Sequence, residues 1–393
     1  MKLLIFTSGL DHPLVSRVNY LVRFLLNKQI DMKVLDFSFY NRKGNLVVYL
    51  KSVINFVSEA SRSNMTVIRF PSLPVVTNSG TRLTSFMHFL DLGLTILLSK
   101  MIIRTIDYDV IVSTEPVAGF VAASVAKSSA FFVYEDLDYF ADLTEGKIQR
   151  TLFSFLEKYC LRRASLIISV SKPLVRRARL LNPRADSILI PNGVDLSYFL
   201  KPPHENRRDP CLVYVGSLSE WAGLELVIEA FPLIKKKIPG IKMKIAGDGI
   251  ERPMLENLVK TLALQDSVLF IGKLPYNKVA SLLLSSSIGI VMFKPCKAAA
   301  FASPLKLFDY MAAGVPIVGT DIGDIGRIIK ESGAGIATNW NVDEFAIAVE
   351  NLLTNRDIWC SKHENGLHYV KAYDWNRLFE DWMREIQKRN LIK

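Results

Sequence analysis

Strand and helix patterns alternate along this 393-residue chain, which predicts an α/β architecture with parallel sheets. At 191–210 the composition changes: PNG and KPPHENRRDP interrupt the apolar periodicity and read as a linker. The strand–loop–helix plan then starts afresh at Cys211. Two Rossmann-like, doubly wound domains facing each other across a cleft are therefore expected. The length agrees, being more than one ordinary core holds. The expected division is 1–192 and 193–373, with an amphipathic helix at 374–393 that closes the second domain or crosses back to the first.

In the first half, MKLLIFTSG holds an apolar run too short for a signal segment and ends in Ser-Gly, so Leu3–Thr7 reads as a strand. Further strands are expected at Lys33–Phe37, Thr66–Phe70, Val110–Ser113, Phe131–Glu135, Leu166–Val170 and Ile188–Ile190. Helical patterns lie between most of them, among them Val15–Asn27, Phe86–Arg104 and Arg150–Arg163, and Leu46–Phe56 suits a helix outside the sheet. Phe86 to Ile103 is the most hydrophobic segment, but it contains His88, Asp91 and Lys100. Those groups suit a buried or interface-lying helix better than a spanning one.

In the second half, strands are expected at Cys211–Val215, Lys242–Ala246, Ser267–Phe270, Ile288–Phe293, Val315–Val318 and Gly335–Ala337. Helices are expected at Leu224–Lys237, Glu251–Leu262 and Asn277–Ser285, with two more before the terminal one. The stretch Phe301–Gly326, FASPLKLFDYMAAGVPIVGTDIGDIG, organises this half. Ser303 is a favoured N-cap type and Pro304 suits the first helical position. Leu305, Phe308, Met311 and Ala312 follow at core-facing spacing, Gly314 ends the helix, and a second glycine-marked loop closes the stretch. A helix start beside a parallel sheet is an anion site, because its free N–H groups and dipole favour phosphate.

Half the residues are hydrophobic and 22% are charged, a globular composition. Cys160, Cys211, Cys296 and Cys360 lie far apart without metal-ligand spacing, and read as reduced, mostly buried thiols of a cytoplasmic protein. The net charge of +11 fits nucleic acid, anionic lipid or a phosphate-bearing substrate. No nucleic-acid-binding signature accompanies it. Arg162, Arg163, Lys172, Arg176, Arg177 and Arg179 cluster around one strand. They suit either a solvated helix face or an anionic inner-leaflet membrane surface.

Ligands of doubly wound sheets sit beyond the carboxyl ends of strands, which singles out several loops. Tyr134-Glu135-Asp136-Leu137-Asp138-Tyr139 carries more acid than a turn needs, and Asp136 or Asp138 is the first choice. Ser8-Gly9-Leu10-Asp11-His12-Pro13 follows the first strand, and Glu115-Pro116 follows another. In the second half the strand-end glycines are Gly216, followed by Ser217, then Gly247 and Gly272, followed by Lys273.

Several ordered motifs resemble the family-4 glycosyltransferases of the GT-B fold. They are RASLIISVS from Arg163, IPNGVD from Ile190, YVGSL from Tyr214, GLE from Gly223, EAF from Glu229, IAGDG from Ile245, VLFIG from Val268 and PLKLFDYMAAGVPIV from Pro304. The set spans roughly residues 160 to 375; the first 160 match only in general plan.

The resemblance implies a retaining, metal-independent transferase whose second domain holds a nucleotide-sugar, such as a UDP- or GDP-sugar, and whose first domain holds the acceptor. No cofactor is implied beyond the donor. It implies that Asp309 holds the ribose, in a position where the family carries Glu. The family's other glutamate falls on Phe301, and its pyrophosphate-binding Arg and Lys fall on Ser217 and Ala222. The implied replacements are Lys306 first, then Lys273, Lys294 and Lys297, with the N–H groups of Ser303–Leu305. Glu135, Asp136, Asp138, Ser8, Gly9 and His12 are the implied acceptor or sugar contacts. A lipid-linked or glycan acceptor and a peripheral position at the inner membrane face would suit the basic first half. Two alternatives are a degenerate nucleotide-binding subunit without turnover and a nucleotide-sugar epimerase of similar build.

Overall fold

A computed structural model describes residues 1–7, 17–36, 67–69, 93, 95–143, 146–200 and 210–390. The chain forms two compact units, Met1–Ile190 with Phe379–Lys393, and Pro191–Leu378. The PNG segment thus begins the second unit. The terminal helix is divided, because it starts in the second unit and belongs to the first from Phe379 onward.

The first unit is built on seven parallel strands: β1 (Leu3–Thr7), β2 (Met32–Asp36), β3 (Val67–Arg69), β4 (Val110–Ser113), β5 (Phe131–Asp136), β6 (Leu166–Ser169) and β7 (Asp186–Leu189). Their order is β3-β2-β1-β4-β5-β6-β7. Strands β1, β4, β5 and β6 are buried along their whole length, as parallel strands covered on both faces must be. Helices α1 (Arg17–Asn27), α2 (95–103), α3 (Pro116–Val125), α4 (Lys147–Arg163) and α5 (Lys172–Leu181) supply the cover. Inward side chains of α2, α3, α4 and α5 share one core cluster with Leu4, Phe6, Ile111 and Ile167 of the sheet.

The second unit repeats the plan with β8 (Cys211–Val215), β9 (Lys242–Ala246), β10 (Val268–Gly272), β11 (Ile288–Val291), β12 (Ile317–Thr320) and β13 (Gly335–Thr338). The order β10-β9-β8-β11-β12-β13 matches that of the first unit. Its helices are α6 (Leu224–Lys237), α7 (Arg252–Thr261), α8 (Tyr276–Leu284), α9 (Lys297–Phe301), α10 (Leu305–Ala312), α11 (Gly323–Ser332), α12 (Val342–Thr354) and α13 (Arg356–Val370). The terminal helix is α14 (Trp375–Asn390). In each sheet the winding reverses between its first and fourth strands, so each has a switch point there, β1/β4 and β8/β11.

Four local expectations are corrected. Strand β7 begins two residues early, because Asp186 to Leu189 rather than the more apolar Ile188–Ile190 pair with β6. The glycine-marked loop expected to close the stretch at Gly326 is instead the start of α11, whose Ile325, Ile328 and Ile329 bury at helical spacing. Ser303 is not an N-cap: Pro304 holds that place, and no side chain among the described residues caps α10. Cys296 is exposed, and its Sγ accepts from the Ala299 N–H to start α9. Leu46–Phe56 lies outside the described residues.

Candidate functional site

The site in the second unit is assembled by α10. Leu307, Phe308, Tyr310 and Met311 are fully buried, and the Tyr310 hydroxyl accepts a hydrogen bond from Val215 N–H at 3.0 Å. That bond ties the helix to the carboxyl end of β8. One turn before Tyr310, Lys306 is thereby held over the strand ends. Its Nζ lies 3.9 Å from the centre of the Tyr214 ring and 5.6 Å from that of Phe293. Tyr214 is on β8 and Phe293 just follows β11, so the ammonium stands at the switch point.

The loops beneath it are backbone-tight. Gly216 N–H donates to the Ala246 carbonyl at 3.0 Å, and Gly247 N–H donates to the Gly272 carbonyl at 2.9 Å. A Cβ on Gly247 would sit 1.8 Å from the Gly216 carbonyl oxygen, and one on Gly216 would meet Lys306 Nζ at 2.8 Å. Both residues have φ in the left-handed range, +152° and +146°. Only glycine fits this stack. The Ser217 carbonyl accepts from the Tyr214 hydroxyl at 2.7 Å, which fixes the ring under the ammonium.

Burial pushes the Lys306 ammonium down to about 7, with Asp309 opposing that shift. Among the described residues, no carboxylate forms an ion pair with it. Burial likewise pushes Asp309 up to about 7, opposed first by the hydrogen bond that Tyr276 donates to Oδ1 at 2.5 Å. Ser303 is buried, and its hydroxyl has no hydrogen-bond partner among the described residues. Its carbonyl accepts from Asn192 Nδ2 at 2.7 Å, which holds the approach to α10 in place. Among the described residues no side chain caps α10, so its first N–H groups are not taken up by a cap.

The structure therefore brings together Gly216, Ser217, Gly247, Gly272, Ser303, Pro304, Leu305, Lys306 and Asp309. Lys273 lies next to Gly272 but is exposed. Lys297 is exposed at the start of α9. Lys294 is neutralised by Glu220 at 3.4 Å and Glu225 at 3.9 Å. Sequence reasoning missed Tyr214, Phe293 and Tyr276, whose apolar or aromatic character reads as core. Asn192 was visible in its Pro-Asn-Gly motif, but its partner was not.

In the first unit, the end of β5 divides its acids between different tasks. Glu135 is fully buried. Its carboxylate accepts from Arg17 Nε at 3.0 Å and from Trp382 Nε1 at 2.7 Å. Glu135 therefore holds the terminal helix and leaves the sugar-contact candidates. Asp136 is also buried, with Arg177 at 3.6 Å and the Ser169 hydroxyl donating at 3.2 Å. Burial pushes Asp136 up to about 7 against the pull of Arg177. Asp138 is only partly covered, and burial, aided by Glu157, raises it to about 7. Arg177 also pairs with Glu157 at 2.8 Å and lies 4.7 Å from the Tyr139 ring centre, bracing the Asp138 turn. Ser8, Gly9 and His12 lie outside the described residues. Among the described residues, no three His, Cys, Asp or Glu side chains form a group able to hold a metal ion.

Two Rossmann-like units define an α/β protein, and the lysine beside an uncapped helix start at the second switch point makes a candidate anion site. Comparison with known proteins makes the class specific. Residues 199–367 match the profile of glycosyl transferases group 1, and residues 56–193 match that of the glycosyl transferase 4-like domain. The chain belongs to the family-4 glycosyltransferases of the GT-B fold.

An uncharacterized glycosyltransferase of Haemophilus influenzae is 28% identical over 174 residues, 44% of this chain and 47% of that protein. N-acetyl-alpha-D-glucosaminyl L-malate synthase of Bacillus anthracis is 26% identical over 189 residues, 46% of this chain and 48% of the relative. The matched segment thus spans about half the length of these curated relatives. Among solved structures, sucrose-phosphate synthase of Thermosynechococcus elongatus superposes with a TM-score of 0.77 at 17% identity, covering 100% of both chains. Anabaena HepE, crystallised with UDP-glucose, superposes with a TM-score of 0.72 at 14% identity, covering 99% of this chain and 100% of that one.

Proposed function

We propose that this protein transfers a sugar from a nucleotide-sugar, such as a UDP- or GDP-sugar, to a hydroxyl acceptor, with retention at the anomeric carbon. The observation that carries the reading is Lys306, a partly buried cation at the switch point with aromatic faces below it and no carboxylate partner among the described residues. A diphosphate is the ligand that chemistry asks for, and the α10 N–H groups with the Ser303 hydroxyl add donors beside it. Asp309 lies one turn along and suits the ribose hydroxyls, with Tyr276 on its other oxygen.

As the bond from the anomeric carbon to phosphate oxygen breaks, its electron pair stays on the diphosphate. Lys306 and the helix start stabilise that growing charge, which is the largest single contribution available to such a reaction. The acceptor oxygen then bonds the anomeric carbon from the same face. Its proton passes to the leaving phosphate oxygen, so no strong protein base is needed. Charge supplied by Lys306 and the helix dipole makes metal independence part of the proposal. Asp138, the more accessible of the two raised acids, is the better placed to meet the acceptor or transferred sugar.

The test is release of nucleoside diphosphate from a panel of nucleotide-sugars, with and without chelator, and analysis of the product anomer. Release from one donor is expected. A second reading, a binding subunit without turnover, is favoured by Ser217, Ala222 and Phe301, where the resemblance implies Arg, Lys and Glu. Binding without release from any donor, unaffected by Asp309→Ala, would establish that reading and overturn the first.

A further inference from the structure

The outward faces of α2 and α4 are the reverse of what a water-facing helix requires. On α4, the buried side is Leu156, Glu157, Cys160 and Leu161. Opposite it stand Ile148 and Phe155, 81% and 55% exposed and two turns apart. Exposed Lys158, Arg162 and Arg163 flank them, and Lys147 and Arg150 are exposed at the start of the helix. The Phe155 ring lies 6.2 Å from Phe120 of α3 and 6.3 Å from Tyr159, so the apolar surface extends beyond a single side chain.

Helix α2 repeats the arrangement. It buries Leu98, Ile102 and Ile103 and exposes Leu97 and Met101, at 56% and 50%, with Lys100 and Arg104 beside them. Inner side chains of α2, α3 and α4 join the same core cluster, so both stripes face away from the same side of the sheet.

Among the described residues the charge on these helices is mostly of one sign, although Asp142, just before α4, pairs with Arg150 at 3.8 Å. Glu157 is the sole acid of α4, and it is buried against Arg177. Helices α2 and α3 contain no acid. Residues 147–190 hold ten Lys and Arg against two acids, Glu157 and Asp186, and the latter is paired with Arg389. Lys100, Arg104, Lys158, Arg162 and Arg163 make no ion pair among the described residues. Exposed aromatic and aliphatic side chains bordered by unpaired cations match an anionic bilayer surface, where the apolar groups enter the headgroup region and the cations meet phosphates. A protein partner would have to bring acids to match, and a second copy would set these cations against themselves.

We infer that the α2–α4 face of the first unit docks on anionic phospholipid bilayers. No described helix is long and apolar enough to cross a membrane. This inference is independent of the proposed transfer reaction.

The experiment is co-flotation of the full chain with vesicles of phosphatidylglycerol and phosphatidylcholine, compared with phosphatidylcholine alone. Binding to the anionic vesicles only is expected, falling steeply with salt. Removing one charge, by Arg162→Gln or Lys158→Gln, should weaken partition about five-fold, and both together about twenty-five-fold. Phe155→Ser and Ile148→Ser should reduce binding while leaving the thermal midpoint and any nucleoside diphosphate affinity unchanged. Equal binding by these variants and the parent would overturn the inference. So would failure to float with anionic vesicles, or a dimer in solution that Phe155→Ser dissociates.

Discussion

The Lys306 ammonium rests 3.9 Å above the Tyr214 ring, and the Tyr214 hydroxyl is itself held by the Ser217 carbonyl. The backbone loop, the aromatic ring and the cation are thus stacked in one column at the end of β8. A cation on an aromatic face gains less than one paired with an anion, so the site favours an incoming phosphate.

This arrangement sets a pH dependence. Burial pushes the Lys306 ammonium down to about 7, and a bound diphosphate requires the charged form. Above that value binding must take up a proton. Nucleoside diphosphate affinity should therefore fall as pH rises from 7 to 9, by up to about ten-fold per unit. Calorimetric titrations at three pH values check this. An affinity that rises over the range would show that Lys306 does not meet the ligand.

The glycine stack makes a steric prediction. Gly247→Ala forces a Cβ to within 1.8 Å of the Gly216 carbonyl, whereas at Gly272 the nearest atom is 4.0 Å away. Gly272→Ala should cost about 1–2 kcal/mol for its left-handed backbone. Gly247→Ala should cost more and should also abolish nucleotide binding. Urea midpoints and titrations of both variants provide the comparison.

The terminal helix is anchored by Trp382 on Glu135, with Arg17 on the same carboxylate. Trp382→Phe should cost about 1.5–3 kcal/mol for a hydrogen bond to a charged group. Arg17→Met should cost about 3–5 kcal/mol, because it leaves the buried carboxylate unpaired. A cycle that adds Glu135→Gln should recover part of each loss. Additive losses would mean that the three side chains do not act together.

Asp136 gives a stability signature. Its folded value is raised from 3.8 to about 7, so between those values the folded state holds more protons than the unfolded one. Its contribution is fully present below about pH 4 and is lost as pH rises through 7. Asp136→Asn should therefore flatten the decline in urea midpoint between pH 5 and 7.5. An unchanged slope would show that Asp136 is ionised throughout.

Much of the fold was legible because each strand is a short apolar run bounded by turn residues, and a parallel sheet buries both faces of such runs. Register between strands was not legible, and β7 shifted for that reason. Helix α11 was hidden because Gly323 and Gly326 read as loop, although Ile325, Ile328 and Ile329 carried its period. The candidate second-unit site is drawn from Ser303–Asp309, which the sequence already singles out. Its chemistry depends on Tyr214, Phe293 and Tyr276, which meet Lys306 and Asp309 only through the fold. Glu135 shows the opposite failure: its place at a strand end suggested a ligand contact, but the partners that occupy it come from 118 and 247 positions away.

The measurement closest to the central claim is the dissociation constant of UDP and GDP for the parent protein and for Lys306→Ala at pH 7. The parent should bind one of them, and the variant should bind it about ten- to one-hundred-fold more weakly, the loss of a charged hydrogen bond. Equal affinity of the folded variant, or no binding of either nucleotide by the parent, would contradict a diphosphate site at Lys306.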